Sequence, residues 1–96
     1  MDSTRQKKFA KEMQRELSQI LQREVEPGTG AMITLNHVRV SPDLGLVKAY
    51  ITAFPDKMLK PILEMLREEK GKIRQLLAAR IRNQVRVVPE VDFYYD

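Results

Sequence analysis

The sequence contains no cysteine, which excludes disulfides and thiolate metal sites. Its single histidine, His37, rules out a multi-histidine metal cluster. Stability must therefore come from packing alone. No stretch approaches the roughly 20 consecutive apolar residues of a membrane span. The N-terminus reads Met1-Asp2-Ser3-Thr4 followed by charge, where a signal segment would be apolar. A soluble cytoplasmic protein with no membrane association is expected. The chain also lacks a phosphate loop, a dinucleotide fingerprint, a metal motif, internal repeats and low-complexity linkers. No cofactor, metal or small-molecule substrate is expected.

What is present is 96 residues with 43% hydrophobic content. That is enough for one compact domain, residues 1–96, burying about 65% of its unfolded surface. Seventeen Lys and Arg against thirteen Asp and Glu give a net charge of +4, a mild bias toward anionic partners. Its location says more. Residues 1–24 hold six basic and four acidic side chains, residues 57–86 nine and three, and the remainder only two against six. Positive charge is concentrated on two segments, chiefly the second.

Ser3-Thr-Arg-Gln6 has the form of a capping box, so a helix is expected to begin there. Phe9, Met13, Leu17, Ile20 and Leu21 then fall on one helical stripe, with Lys8, Lys11, Arg15, Ser18 and Gln22 opposite. Pro27, Gly28 and Gly30 supply the stop. Residues 31–40 and 46–54 read as strands joined by Ser41-Pro-Asp-Leu-Gly45 into a hairpin. The apolar parity changes from Ile33 and Leu35 to Val38 and Val40, which requires a bulge near Asn36 or His37.

Pro55 breaks the second strand, and Asp56 is assigned as N-cap of a helix carrying Met58, Leu59, Ile62, Leu63 and Leu66. Pro61 lies near its first turn, where proline is tolerated. Gly71 interrupts the helical pattern, so the chain is expected to bend there before a third helix with Ile73, Leu76, Leu77 and Ile81 inward. Residues 87–95 form the last strand, with Val91, Phe93 and Tyr95 on one face and Pro89 restricting its start to an edge or opening position.

On the third helix, Lys72, Gln75, Ala79, Arg82 and Arg86 share the face opposite the apolar stripe, with Arg74 on a flank and Arg80 near the core edge. A basic surface fixed by packing attracts phosphates through Coulomb interaction and counterion release, and its arginines add bidentate contacts or stack on bases. The plain alternative is a solvated helix face. The same alternative weighs more on Lys8, Lys11 and Arg15, because Glu12 and Glu16 are close enough to screen them. His37 near Ser41 and Asp43 resembles a catalytic triad in composition only, since no nucleophile elbow accompanies it. Glu64, Glu68 and Glu69 beside Arg67, Lys70 and Lys72 read as surface ion pairs. Tyr50, Tyr94 and Tyr95 could stack on bases, but half-buried strand positions suit tyrosine without any function. No catalytic residue is assigned.

Several segments together carry a resemblance. Ser3-Thr-Arg-Gln-Lys7, Glu16-Leu-Ser-Gln-Ile-Leu21, Val38-Arg-Val-Ser-Pro-Asp-Leu44, Lys48-Ala-Tyr-Ile51 and Val88-Pro-Glu-Val-Asp-Phe-Tyr-Tyr-Asp96 occur in the order and spacing of the ribosome-binding factor A family. The chain resembles that family over nearly its whole length. The resemblance implies an α+β, type-II KH-like RNA-binding domain of order α-β-β-α-bend-α-β, with helices covering a three-stranded sheet. It further implies a monomeric, non-enzymatic factor for maturation of the small ribosomal subunit and its ribosomal RNA, most needed in the cold. Where a KH domain has a GXXG loop, the family has an Ala-x-Gly bend, here Glu69-Lys70-Gly71. The loop Glu26-Pro-Gly-Thr-Gly30 also departs from the family pattern.

The family's basic helix face corresponds to Lys70, Lys72, Arg74, Arg80, Arg82 and Arg86, which are the RNA-binding residues expected here, with Lys8, Lys11 and Arg15 as a secondary set. Family members often carry a flexible tail after the final strand. The competing expectation is a protein-interaction module that binds another assembly factor or a ribosomal protein.

Overall fold

The computed structural model describes residues 2–25 and 30–96. Helix α1 (Thr4–Arg23) is followed by strands β1 (Met32–Val40) and β2 (Leu46–Phe54), then by a short 3-10 turn (Asp56–Met58). Helices α2 (Leu59–Glu68) and α3 (Lys70–Ile81) and strand β3 (Glu90–Tyr95) complete the chain. This is the expected α+β order.

The capping box forms. The Gln6 amide donates to Ser3 Oγ at 3.1 Å, and the Ser3 amide donates to Gln6 Oε1 at 2.9 Å. Gln6 is the one buried polar side chain among the described residues, and its Nε2 donates to the Val40 carbonyl at 3.0 Å. A single glutamine thus starts α1 and ties it to β1. Phe9, Met13, Leu17, Ile20 and Leu21 are buried as their spacing requires. The helix stops at Arg23, before the expected punctuation, because the Glu24 amide closes the last turn on Ile20 and Val25 is already buried in the core. Pro27 and Gly28 lie outside the described residues, and Gly30 adopts a φ of 76°.

Strand β2 is central, antiparallel to β1 and parallel to β3. The register shifts between Leu35 and His37, so the expected bulge is present and keeps Ile33, Leu35, Val38 and Val40 on the inner face. All three helices lie on that face, over Val47, Ala49 and Ile51 of β2 and Val91 and Phe93 of β3. The outer face is open and carries His37, Arg39, Lys48, Tyr50 and Tyr94.

Three expected details change. Asp56 is not an N-cap: the Met58 amide already bonds the Pro55 carbonyl at 2.9 Å, so Pro55 holds the cap position and Asp56 is the first residue inside the turn. The turn between α2 and α3 pivots on Glu69 (φ −98°, ψ 10°), while Gly71 sits within the first turn of α3 with open space where a Cβ would be. Strand β3 begins only at Glu90, because Pro89 has no amide to donate and Arg74 takes the carbonyls of Val88 and Pro89. Tyr95 shares the parity of Val91 and Phe93 yet is 64% exposed, since the helical layer ends before it.

Candidate nucleic-acid interface

Ile73, Leu77 and Ile81 anchor α3 in the core, and this packing turns Lys70, Lys72, Arg74 and Arg80 to the surface. Arg82 follows immediately after the helix. Arg86 lies farther on, in the loop to β3, because the Gln84 amide bonds back to the Ile81 carbonyl at 2.8 Å and ends the helical path. The expectation of Arg86 on the helix face is corrected accordingly: it is exposed, but a loop positions it.

The six cations differ in what already holds them. Arg74 donates to the Val88 carbonyl at 2.8 Å and the Pro89 carbonyl at 3.3 Å, pinning the approach to β3. Arg80 forms an ion pair with Glu16 of α1 at 2.5 Å and hydrogen-bonds Gln19, so much of its charge is spent between helices. Lys70 lies 3.8 Å from Asp92, half exposed and weakly held. Lys72, Arg82 and Arg86 form no ion pair or side-chain hydrogen bond among the described residues. Of the secondary set, Arg15 lies 3.7 Å from Glu16, while Lys8 and Lys11 are exposed and form no ion pair among the described residues.

Apart from Arg82 and Lys11, the less engaged of these cations gather at two places. One is the first turn of α3, where Lys70 and Lys72 flank Gly71 and no side chain caps the helix. Below it a groove of 420 Å³ runs between the bend and the edge strand, lined by Lys70, Gly71, Arg74 and Asp92 among others. Basic side chains at a helix start oppose the macrodipole, which favours negative charge there. Their positive charge and the helix end therefore add in attracting an anion. The other place is the opposite end of α3, where Arg86 shares a cleft with Lys8 and Arg5. Arg5 was not among the expected residues; its i, i+3 spacing from Lys8 is the signal that would have found it.

The remaining candidates resolve into structural roles. Ser41 Oγ donates to Asp43 Oδ1 at 2.7 Å and accepts from the Leu46 amide, and the Gly45 amide also bonds Asp43. The Ser41 hydroxyl and the Gly45 amide hold the Asp43 carboxyl below the usual carboxylate range. His37 points elsewhere, stacked on Tyr50 with centroids 4.6 Å apart and 3.8 Å from Asp96, so no triad assembles. Tyr50 stacks in turn on Tyr94, whose phenol pKa is raised by its hydrogen bond to Asp92.

The ion pairs expected of Glu64, Glu68 and Glu69 are not formed among the described residues. Arg67 instead turns its guanidinium to the Phe93 carbonyl, at 3.0 and 3.3 Å, and Lys70 goes to Asp92. No group of three or more potential metal ligands occurs among the described residues, and no helix there is long and apolar enough to cross a membrane.

Comparison with known proteins places these observations among relatives. The family profile described as "Ribosome-binding factor A" matches residues 5–96. A protein of that name from Christiangramia forsetii is 38% identical over 97 residues, covering 99% of this chain and 74% of the relative. The crystal structure of ribosome-binding factor A from Thermus thermophilus superposes with a TM-score of 0.80 at 22% identity, covering 94% of this chain and 93% of that one. A homology model of the Thermus thermophilus factor, fitted into a cryo-electron-microscopy map of its complex with the 30S subunit, superposes with a TM-score of 0.73 at 25% identity, covering 88% of each chain.

Proposed function

The chain belongs to the ribosome-binding factor A family, and we propose that it is a monomeric, non-catalytic assembly factor that docks on ribosomal RNA of the immature small ribosomal subunit. On this reading, residues 1–96 are a single KH-like RNA-binding domain. The bend Glu69-Lys70-Gly71 stands where a KH domain clamps the nucleic-acid backbone. Support from a relative comes from the Thermus factor, which has been placed in a complex with the 30S subunit.

The observation that carries the proposal is the uncapped start of α3 bearing Lys70 and Lys72 and no acidic residue in its first turn. Such an arrangement works against the isolated helix and in favour of a bound phosphate. Lys72, Arg82 and Arg86 are the principal contacts, with Lys70 available once its weak contact to Asp92 yields. Lys8 and Lys11 extend the surface onto α1. Arg74 and Arg80 act by holding β3 and α1 in place. Recognition rests on shape and phosphate geometry, with no base read by the helix itself.

Co-sedimentation tests this reading. The protein should travel with free, immature small subunits and not with whole ribosomes, and Arg82→Glu with Arg86→Glu should release it. Equal partition between the two particles would contradict the proposal. One feature favours a second reading, as a protein-interaction module: Met32 and Phe54 face each other across the sheet end and are 63% and 67% exposed. If replacing both with serine abolished subunit binding while the arginine variants left it intact, that reading would prevail.

A further inference from the structure

The cleft shared by α1, the β1–β2 turn and the loop after α3 combines two chemistries. Its volume is 610 Å³, inside the range of about 300–1,000 Å³ typical of small-molecule sites. Phe9 is buried and Leu44 and Val85 are half-buried, so they form an apolar floor. Arg5, Lys8 and Arg86 are exposed along its rim. None of these three cations forms an ion pair among the described residues.

Leu44 adds an independent observation. It is the one non-glycine among the described residues with positive φ, at 62°. That left-handed conformation disfavours a side chain with a Cβ. The turn nonetheless holds it there, with the Leu44 amide bonded to the Ser41 carbonyl at 2.9 Å and Asp43 bridging Ser41 and Gly45. A leucine kept in this strained position delivers its side chain to the cleft.

Two carboxylates, Glu12 and Asp43, line the same space. They would repel a bare phosphate or a duplex backbone that filled the cleft. A ligand with a flat apolar ring, N–H donors on its edge and a single phosphate satisfies all the groups present, because a carboxylate accepts from base amino groups.

We propose that this cleft receives one unpaired nucleotide, its base on Phe9, Leu44 and Val85 and its phosphate on Arg5, Lys8 and Arg86. The proposal deepens the RNA-binding reading and rests on it for the source of the nucleotide; the start of α3 is a separate contact.

The test is a titration of isotope-labelled protein followed by amide chemical shifts, with four probes: adenosine monophosphate, inorganic phosphate, a short oligoadenylate, and an abasic sugar-phosphate oligomer of the same length. Adenosine monophosphate and oligoadenylate should move the Gly45 and Val85 amides. Oligoadenylate should bind roughly 10-fold more tightly than the abasic oligomer, the effect of stacking one base. Val85→Asp and Arg86→Glu should each weaken this response; Arg86 is exposed, so its variant leaves the core intact if Val85→Asp fails to fold.

Shifts produced equally by inorganic phosphate, or absent from Gly45 and Val85, would overturn the proposal. Equal affinity for the mononucleotide and oligoadenylate would assign the cleft to a free nucleotide and overturn its RNA source. Lys72→Glu should lower subunit binding yet leave the mononucleotide response unchanged, which separates failure of this site from failure of the subunit-docking reading.

Discussion

Single side chains in this protein often serve two elements at once. Gln6 completes the capping box of α1 and also donates to the Val40 carbonyl at the end of β1. Gln6→Glu would preserve an acceptor for the Ser3 amide but remove the donor and bury a charge. Thermal or denaturant unfolding should show it less stable by about 1–3 kcal/mol, against ~1 kcal/mol for Ser3→Ala, which loses the cap alone; equal losses would mean that the Val40 bond contributes nothing.

Asp43 offers a pH readout at the same scale. Its folded pKa is depressed, so its contribution to stability is present above the ordinary carboxylate range and is lost as pH falls through the lowered value. Acidification should therefore loosen the β1–β2 turn, visible as a shift of the Gly45 amide. Asp43→Asn should remove that step.

At the scale of elements, the placement of charge on α3 separates stability from binding. The first turn carries Lys70 and Lys72 with no acid and no side-chain cap. Lys72→Glu should stabilise the fold by roughly 0.3–1 kcal/mol through the helix dipole, seen as a higher unfolding midpoint, while weakening subunit binding. A loss of both properties would indicate that Lys72 packs in a way its exposure does not reveal.

The sheet shows a comparable compromise on its open face, where Arg39 pairs directly with Lys48, while Asp92 flanks Lys48 on the other strand and the Tyr94 ring lies 5.9 Å from the Lys48 Nζ. The elements themselves were legible in the sequence because burial periodicity determines them: the α1 stripe, the parity change across the bulge and the α3 stripe all follow from apolar spacing. The boundaries were less so. Glu69 rather than Gly71 makes the bend, since ψ near zero at a helix junction suits any residue, and β3 starts late because a distant arginine claims the carbonyls before it.

For the whole molecule, sequence showed how many cations a segment carries but not which of them tertiary contacts consume. Arg74 and Arg80 belong with Arg82 to the set expected to bind RNA, yet one clamps the approach to β3 and the other bridges to Glu16, sixty-four positions away. Long-range pairing of this kind has no local signature. The cleft joining Arg5, Lys8 and Arg86 was hidden for the same reason, since it draws on α1, a hairpin turn and a loop. What remains after subtracting the engaged side chains is a smaller, divided cationic surface.

The salt dependence of binding to free small subunits tests that surface most directly. With Lys72, Arg82 and Arg86 replaced by glutamine, the slope of log affinity against log salt should become shallower by about 0.7–0.9 for each lost phosphate contact. Arg74→Gln and Arg80→Gln should lower stability and leave the slope unchanged once corrected for folded fraction. If instead the triple variant keeps the original slope while the Arg74 or Arg80 variant flattens it, the division of cations into free and engaged is wrong.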